Sequence, residues 1–64
     1  MNVQWYDDEE HVAKIFHKMQ GIAELPGCDC VSEVDISLNL LGWRRNEKWQ
    51  KADWGYEARI RRIK

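Results

Sequence analysis

The chain is poor in the features that mark several classes of protein. Its 64 residues include one proline, two cysteines and four glycines, and no stretch approaches the ~20 apolar residues that span a bilayer. The first ten residues have neither a basic start nor an apolar run, so we expect no secretory signal. These absences predict one small domain over residues 1–64, located in the cytoplasm and making no membrane contact.

The two cysteines do not form a disulfide framework. One residue separates Cys28 from Cys30, and a disulfide at that spacing would close a small, strained ring. We therefore expect two free thiols. With His11 and His17 they are the candidate soft metal ligands, but their spacing does not match that of structural zinc sites. The sequence predicts no metal and no cofactor.

An amphipathic pattern occupies residues 7–20. Val12, Ile15, Phe16 and Met19 recur at intervals of three and four residues, which places them on one face of a helix. The acidic residues at positions 7–10 suit the positive end of a helix dipole. We therefore predict a helix over residues 7–20.

The periodicity then changes to 2. Apolar residues alternate with polar ones over residues 34–40 and again over residues 54–60, and Val3 and Trp5 indicate a short strand near the start. The predicted fold class is α+β, with one helix packed on a two- or three-stranded antiparallel sheet, in the order α-β-β or β-α-β-β. The predicted core residues are Trp5, Val12, Ile15, Phe16, Met19, Leu25, Val34, Ile36, Leu38, Leu40, Trp54, Tyr56, Ala58 and Ile60.

Charge is unevenly distributed along the chain. Residues 1–30 contain two lysines and six acidic residues, whereas residues 43–64 contain eight lysines and arginines against three acidic residues. Cations beside aromatic rings can hold phosphates and stack bases. They can equally form a solvated strand face that discourages aggregation, with Trp43 and Trp54 in the core. The candidate partner-binding residues are Trp43, Arg44, Arg45, Lys48, Trp49, Arg59, Arg61 and Arg62.

No pattern in the sequence indicates catalysis, since it has no glycine-rich phosphate loop and no recognisable nucleophile. We therefore expect a non-enzymatic binding module, a small regulator or inhibitor that docks on a larger protein or on its own copy. Trp43 and Trp49 fall outside the alternating core set, which predicts that they are exposed anchors. The alternative is a nucleic-acid-binding protein that uses the basic, Trp-containing C-terminal hairpin.

A homodimer is a further expectation. A domain of this size buries only about 60% of the surface that its unfolded chain exposes, so burial against a second chain would add stability. Strand edges could pair across a two-fold axis, or Leu41, Trp43 and Ile63 could form a shared apolar patch. A stable monomer is the competing prediction, because many domains of similar length fold alone.

One short segment resembles a known family. Glu24-Leu25-Pro26-Gly27-Cys28 is similar to the Leu-Pro-Gly-Cys stretch of HicB-type antitoxin domains. The resemblance covers five residues, and the predicted order, with the helix before this stretch and the long strands after it, departs from that family. No activity, partner or site residue is carried over from it.

Overall fold

A computed structural model describes residues 1–63 as one antiparallel sheet with a helix on one face. Its elements are β1 (Asn2–Tyr6), β2 (Ala13–His17), β3 (Gln20–Leu25), α1 (Val31–Leu40), β4 (Trp43–Arg45), β5 (Gln50–Ala52) and β6 (Gly55–Arg62). The strand order is β3-β2-β1-β6-β4, and β5 pairs with β6 on the same side as β4. The central strands are therefore β1 and β6.

The predicted fold class is wrong, because the sheet has six strands within residues 1–63 and the helix lies elsewhere in the chain. The strand predicted over residues 34–40 is part of α1. Alternation over seven residues also contains pairs four apart, and α1 buries one such pair, Val34 and Leu38. The other pair, Ile36 and Leu40, is exposed. The Leu-Pro-Gly-Cys stretch consequently precedes the helix and does not follow it.

The helix predicted over residues 7–20 is also wrong. These residues form the loop after β1, all of β2 and the turn into β3. Ala13 and Ile15 alternate along β2 and are fully buried, because alternate residues of a strand face the same side. Met19 lies in the two-residue turn between β2 and β3 and is 98% exposed, not in the core.

The core lies between α1 and one face of the sheet. Its residues are Val3, Trp5, Ala13, Ile15, Leu25, Cys28, Val34, Leu38, Trp43, Ala58 and Ile60. The indole nitrogen of Trp5 donates a hydrogen bond to the carbonyl oxygen of Cys28 at 2.8 Å, which joins β1 to the segment that leads into α1. Ile36, Leu40 and Trp54, which were predicted to be core residues, are exposed.

The strands predicted near Val3 and over residues 54–60 are present as β1 and β6. The face of the sheet away from α1 is polar along these two strands, since Asn2 and Gln4 both donate hydrogen bonds to one carboxylate oxygen of Glu57. Antiparallel sheets commonly leave one face to solvent in this way. Within residues 1–63, no helix has the length and apolar character needed to cross a membrane.

Candidate functional site

The arginines of the candidate site lie on β4 and β6, two neighbouring strands. Arg44 stands directly opposite Arg61, and Trp43 stands opposite Arg62. Directly opposed residues point to the same face, with Cβ atoms about 5 Å apart. Arg59 shares the face of Arg61 because the two are separated by one residue. Two cationic side chains are thus held against each other, with a third on the same face.

These arginines have no acidic partner in the described residues. The ion pairs within residues 1–63 are His11–Asp29 and Arg45–Asp35. Four arginines are exposed and make no ion pair within residues 1–63, and we name them the arginine cluster: Arg44, Arg59, Arg61 and Arg62. Like charges directly opposed across strands are destabilising. The arrangement therefore opposes folding and favours a bound anionic group.

Arg62 lies on the other face of β6 from Arg61. Its guanidinium carbon is 4.7 Å from the ring centroid of Trp43, a distance typical of cation–π contact. Trp43 itself is only 6% exposed. The prediction that Trp43 is an exposed anchor is therefore wrong. Trp43 is a core residue, and its ring packs against the guanidinium of Arg62.

Arg45 is used differently from the arginine beside it. Its Nε and Nη2 atoms donate to the two carboxylate oxygens of Asp35 on α1, at 2.9 and 3.0 Å, and its Nη1 donates to the carbonyl of Glu47. The hydrogen bonds to Asp35 raise the pKa of Arg45 further above its ordinary value. A planar guanidinium suits this two-point contact. Arg45 therefore ties β4 to the helix and is not available to a partner.

Trp49 lies in the segment between β4 and β5 and is half-buried. It packs on the core, the guanidinium carbon of Arg45 is 5.4 Å from its ring centroid, and its indole nitrogen is buried without a hydrogen-bond partner in the described residues. Trp49 is thus not the freely exposed anchor that the sequence predicts. Lys48, its neighbour, is exposed.

Two open clefts share Arg44. One, of about 310 Å³, is lined by Arg44, Arg61, Arg62 and Ile63. The other, of about 190 Å³, is lined by Asp35, Asn39, Arg44 and Arg45. Arg44 borders both clefts, but it alternates with Trp43 and Arg45, which face α1, and therefore points to the other face of the sheet. Sequence reasoning named the arginines but could not place Arg44 on this face, because it predicted no strand over residues 43–45.

The acidic residues lie at the opposite end of the strands. Tyr6 at the end of β1 pairs with Gly55 at the start of β6, and the amide of Asp7 donates to the carbonyl of Trp54. The loop with four acidic residues, 7–10, therefore lies beside the turn before β6. The arginine cluster extends toward the other end of that strand, so opposite charges are separated along the sheet.

The cysteines and histidines do not form a second site. Cys28 is buried and Cys30 is exposed, and burial raises the pKa of the Cys28 thiol, which keeps it protonated and unreactive near neutral pH. Nowhere in residues 1–63 do three histidine, cysteine, aspartate or glutamate side chains come together as metal ligands.

Comparison of the chain with known proteins gives no match. No family model matches the chain, and neither a curated protein nor a solved structure matches it.

Proposed function

We propose that the protein is a non-enzymatic binding module that docks on an acidic segment of a larger protein through the arginine cluster. The observation that carries this proposal is the direct opposition of Arg44 and Arg61 without an acidic partner in residues 1–63. An acidic ligand would turn this repulsion into attraction, and arginine is among the residues enriched at protein interfaces.

A protein partner is favoured over a nucleic acid by the positions of the tryptophans. Base stacking needs an open aromatic face near the cations, but Trp43 is buried and Trp49 is half-buried beside Arg45. The protein also has a net charge of −1, and its acidic loop would be repelled by a long phosphate backbone. A short acidic segment of a protein could contact the arginine cluster without approaching that loop.

Fluorescence anisotropy of a labelled peptide rich in aspartate and glutamate tests this proposal. We expect the double variant R44A/R61A to weaken binding about tenfold or more, which corresponds to about 1.4 kcal/mol. The matched control is K14A/K51A, which removes the same charge from lysines that lie over the rings of Tyr6 and Tyr56. The control variant should bind with nearly unchanged affinity.

Two results would contradict the proposal. One is no detectable binding of the acidic peptide at low salt. The other is an equal loss of affinity in both double variants, which would show that binding depends only on the net charge of the protein. Oligonucleotides titrated in parallel would have to bind more weakly than the peptide at the same salt concentration, since tighter binding would support the nucleic-acid alternative instead.

A further inference from the structure

The face of the sheet away from α1 carries apolar side chains as well as arginines. Phe16 follows the fully buried Ile15 on β2, so its side chain lies on the face away from the core. Phe16 is half-buried, and two residues that line a cleft with it, Met1 and Met19, are 41% and 98% exposed. We name these three residues the apolar patch: Met1, Phe16 and Met19.

The apolar patch lines an open cleft of about 520 Å³. Gly21 lies opposite Phe16 on β3 and has no side chain to cover the ring. Two charged residues of opposite sign, Lys18 and Glu57, also line the cleft. The cleft therefore has little net charge and suits an apolar side chain of a ligand.

The register of the sheet places the apolar patch beside the arginine cluster. Phe16 lies opposite Asn2, and Asn2 lies opposite Arg59. Directly opposed residues point to the same face, so Phe16 and Arg59 share one face and are two strand spacings, or about 10 Å, apart. Arg61 follows two residues after Arg59, and Arg44 lies opposite Arg61. One surface thus carries the apolar patch and three of the four arginines.

Glu57 lies on this same surface but does not neutralise the arginines. One of its carboxylate oxygens accepts hydrogen bonds from Asn2 and Gln4, and no ion pair joins Glu57 to an arginine within residues 1–63. The surface therefore has a cleft of little net charge beside a positive region. The two parts select different chemical groups of one ligand.

We infer that the acidic segment of the proposed function, on which this inference rests, carries a large apolar side chain that packs on the apolar patch while its carboxylates contact the arginine cluster. Segments rich in one charge repel themselves and extend. An extended chain advances about 3.3–3.6 Å per residue, so about three residues cover the distance from Phe16 to Arg59. The apolar residue is therefore expected about three positions from the nearest acidic residue.

A protein side chain suits the apolar patch better than a nucleic-acid base does. Two of the three residues are methionines, whose flexible side chains adapt to irregular apolar shapes. Base stacking needs an open aromatic face, but the aromatic residue of the patch, Phe16, is half-buried.

A second copy of the chain could offer its acidic loop, residues 7–10, to the arginine cluster. The residues three positions before and after that loop are Gln4, which is polar, and Ala13, which is fully buried. The loop therefore lacks an exposed apolar residue at the expected spacing. The complementary segment is accordingly assigned to another protein.

Fluorescence anisotropy with two labelled peptides tests the inference. The first peptide has a run of about five acidic residues, with one leucine three positions before the run and another three positions after it, which covers both chain directions. The second peptide has serine in place of both leucines. We expect the wild-type protein to bind the leucine peptide about fivefold more tightly. The double variant F16S/M19S should lose this preference and keep its affinity for the serine peptide.

The matched control is I36S/L40S, which removes two apolar side chains that are 61% and 81% exposed on α1. It should keep the full preference, because α1 covers the other face of the sheet. Circular dichroism checks that the variants are folded. If F16S/M19S is unfolded, the single variant M19S provides the test, and it should lower the preference at least twofold.

Equal affinity of the wild type for both peptides would overturn the inference about the apolar patch and leave the proposed function standing. Absence of binding by both peptides at low salt would overturn both. A preference that falls equally in I36S/L40S and F16S/M19S would also contradict the inference, since the apolar contact would then not depend on the patch.

Two further measurements distinguish other occupants of the surface. A single-stranded oligonucleotide that binds more tightly than the leucine peptide, and more weakly to F16S/M19S, would assign the surface to nucleic acid. A dimer in light scattering that is lost in R44A/R61A would assign it to a second copy. Either result would contradict the inference.

Discussion

The two ends of the sheet carry opposite charge, and their charged side chains have different structural roles. At the acidic end, Asp8 accepts a hydrogen bond from the amide of Glu10, so a carboxylate helps to shape its own loop. At the basic end, Arg44 and Arg61 are fixed face to face on regular strands and form no ion pair within residues 1–63.

This difference separates charges that serve the fold from charges that do not. A loop can move its carboxylates apart in water, whereas paired strands hold Arg44 and Arg61 at a fixed separation. Arg45 provides the comparison within the same strand, since it lies next to Arg44 and donates hydrogen bonds to Asp35 and to the carbonyl of Glu47. Two adjacent arginines of one strand should therefore respond to substitution in opposite directions.

The largest effect is expected at the acidic end, where the backbone of Gly55 lies close to the backbone of β1. Gly55 has a φ of 151°, and a Cβ atom there would overlap the carbonyl oxygen of Trp5. Gly55→Ala should lower the free energy of unfolding by about 3 kcal/mol or more, because backbone cannot move aside as a flexible side chain can. Urea denaturation followed by tryptophan fluorescence measures this loss.

The control for that substitution is Gly27→Ala. Gly27 has a φ of 73° and open space around its Cβ position, so alanine there should cost only about 1 kcal/mol. Equal losses at Gly55 and Gly27 would show that the contact with Trp5 is not restrictive.

The next largest effect separates Arg45 from the arginine cluster. Arg45→Ala removes the two-point contact with Asp35 and leaves that carboxylate without its partner. Both side chains are about one-third exposed, so solvent screening limits the loss to about 1–2 kcal/mol. Thermal unfolding at matched pH measures the effect, and an unchanged melting temperature would mean that Arg45 does not tie β4 to α1.

A smaller effect, of opposite sign, is expected in the turn at the basic end. Lys18 and Met19 both have positive φ angles, 51° and 67°, as a two-residue type I′ turn requires, and Asn-Gly is the sequence that this turn prefers. The double variant K18N/M19G should therefore raise the free energy of unfolding by about 1 kcal/mol. A loss of stability would imply that the Met19 side chain makes a stabilising contact in spite of its exposure.

The sequence pattern identifies the central strands correctly but does not distinguish a strand from a helix over residues 34–40. Val3, Trp5 and the alternation in β6 identify the two central strands, and the same alternation places Arg59 and Arg61 on one face. Residues 34–40 satisfy both the strand and the helix pattern, because alternate residues include pairs four apart. The intervening Asp35 and Asn39 are depleted in strands but are weak helix formers as well, so propensity does not decide between the two patterns.

Other features depend on contacts that no local pattern contains. Residues 7–20 have helical spacing, but pairing of β2 with β1 and β3 overrides it. β4 has only three residues, too few to show a period, so the burial of Trp43 could not be read from it. The opposition of Arg44 and Arg61 depends on the register between β4 and β6, and the segment that separates them does not determine that register.

The claim that Arg44 and Arg61 do not stabilise the fold is tested most directly by unfolding the variants R44A, R61A and R44A/R61A in urea at low salt. Each single variant should be as stable as the wild type or more stable, by about 0.5 kcal/mol, because each removes one of two opposed like charges. The double variant should gain less than the sum of the two, since the repulsion can be removed only once. A clear loss of stability in both single variants would contradict the account, because it would make Arg44 and Arg61 structural residues like Arg45.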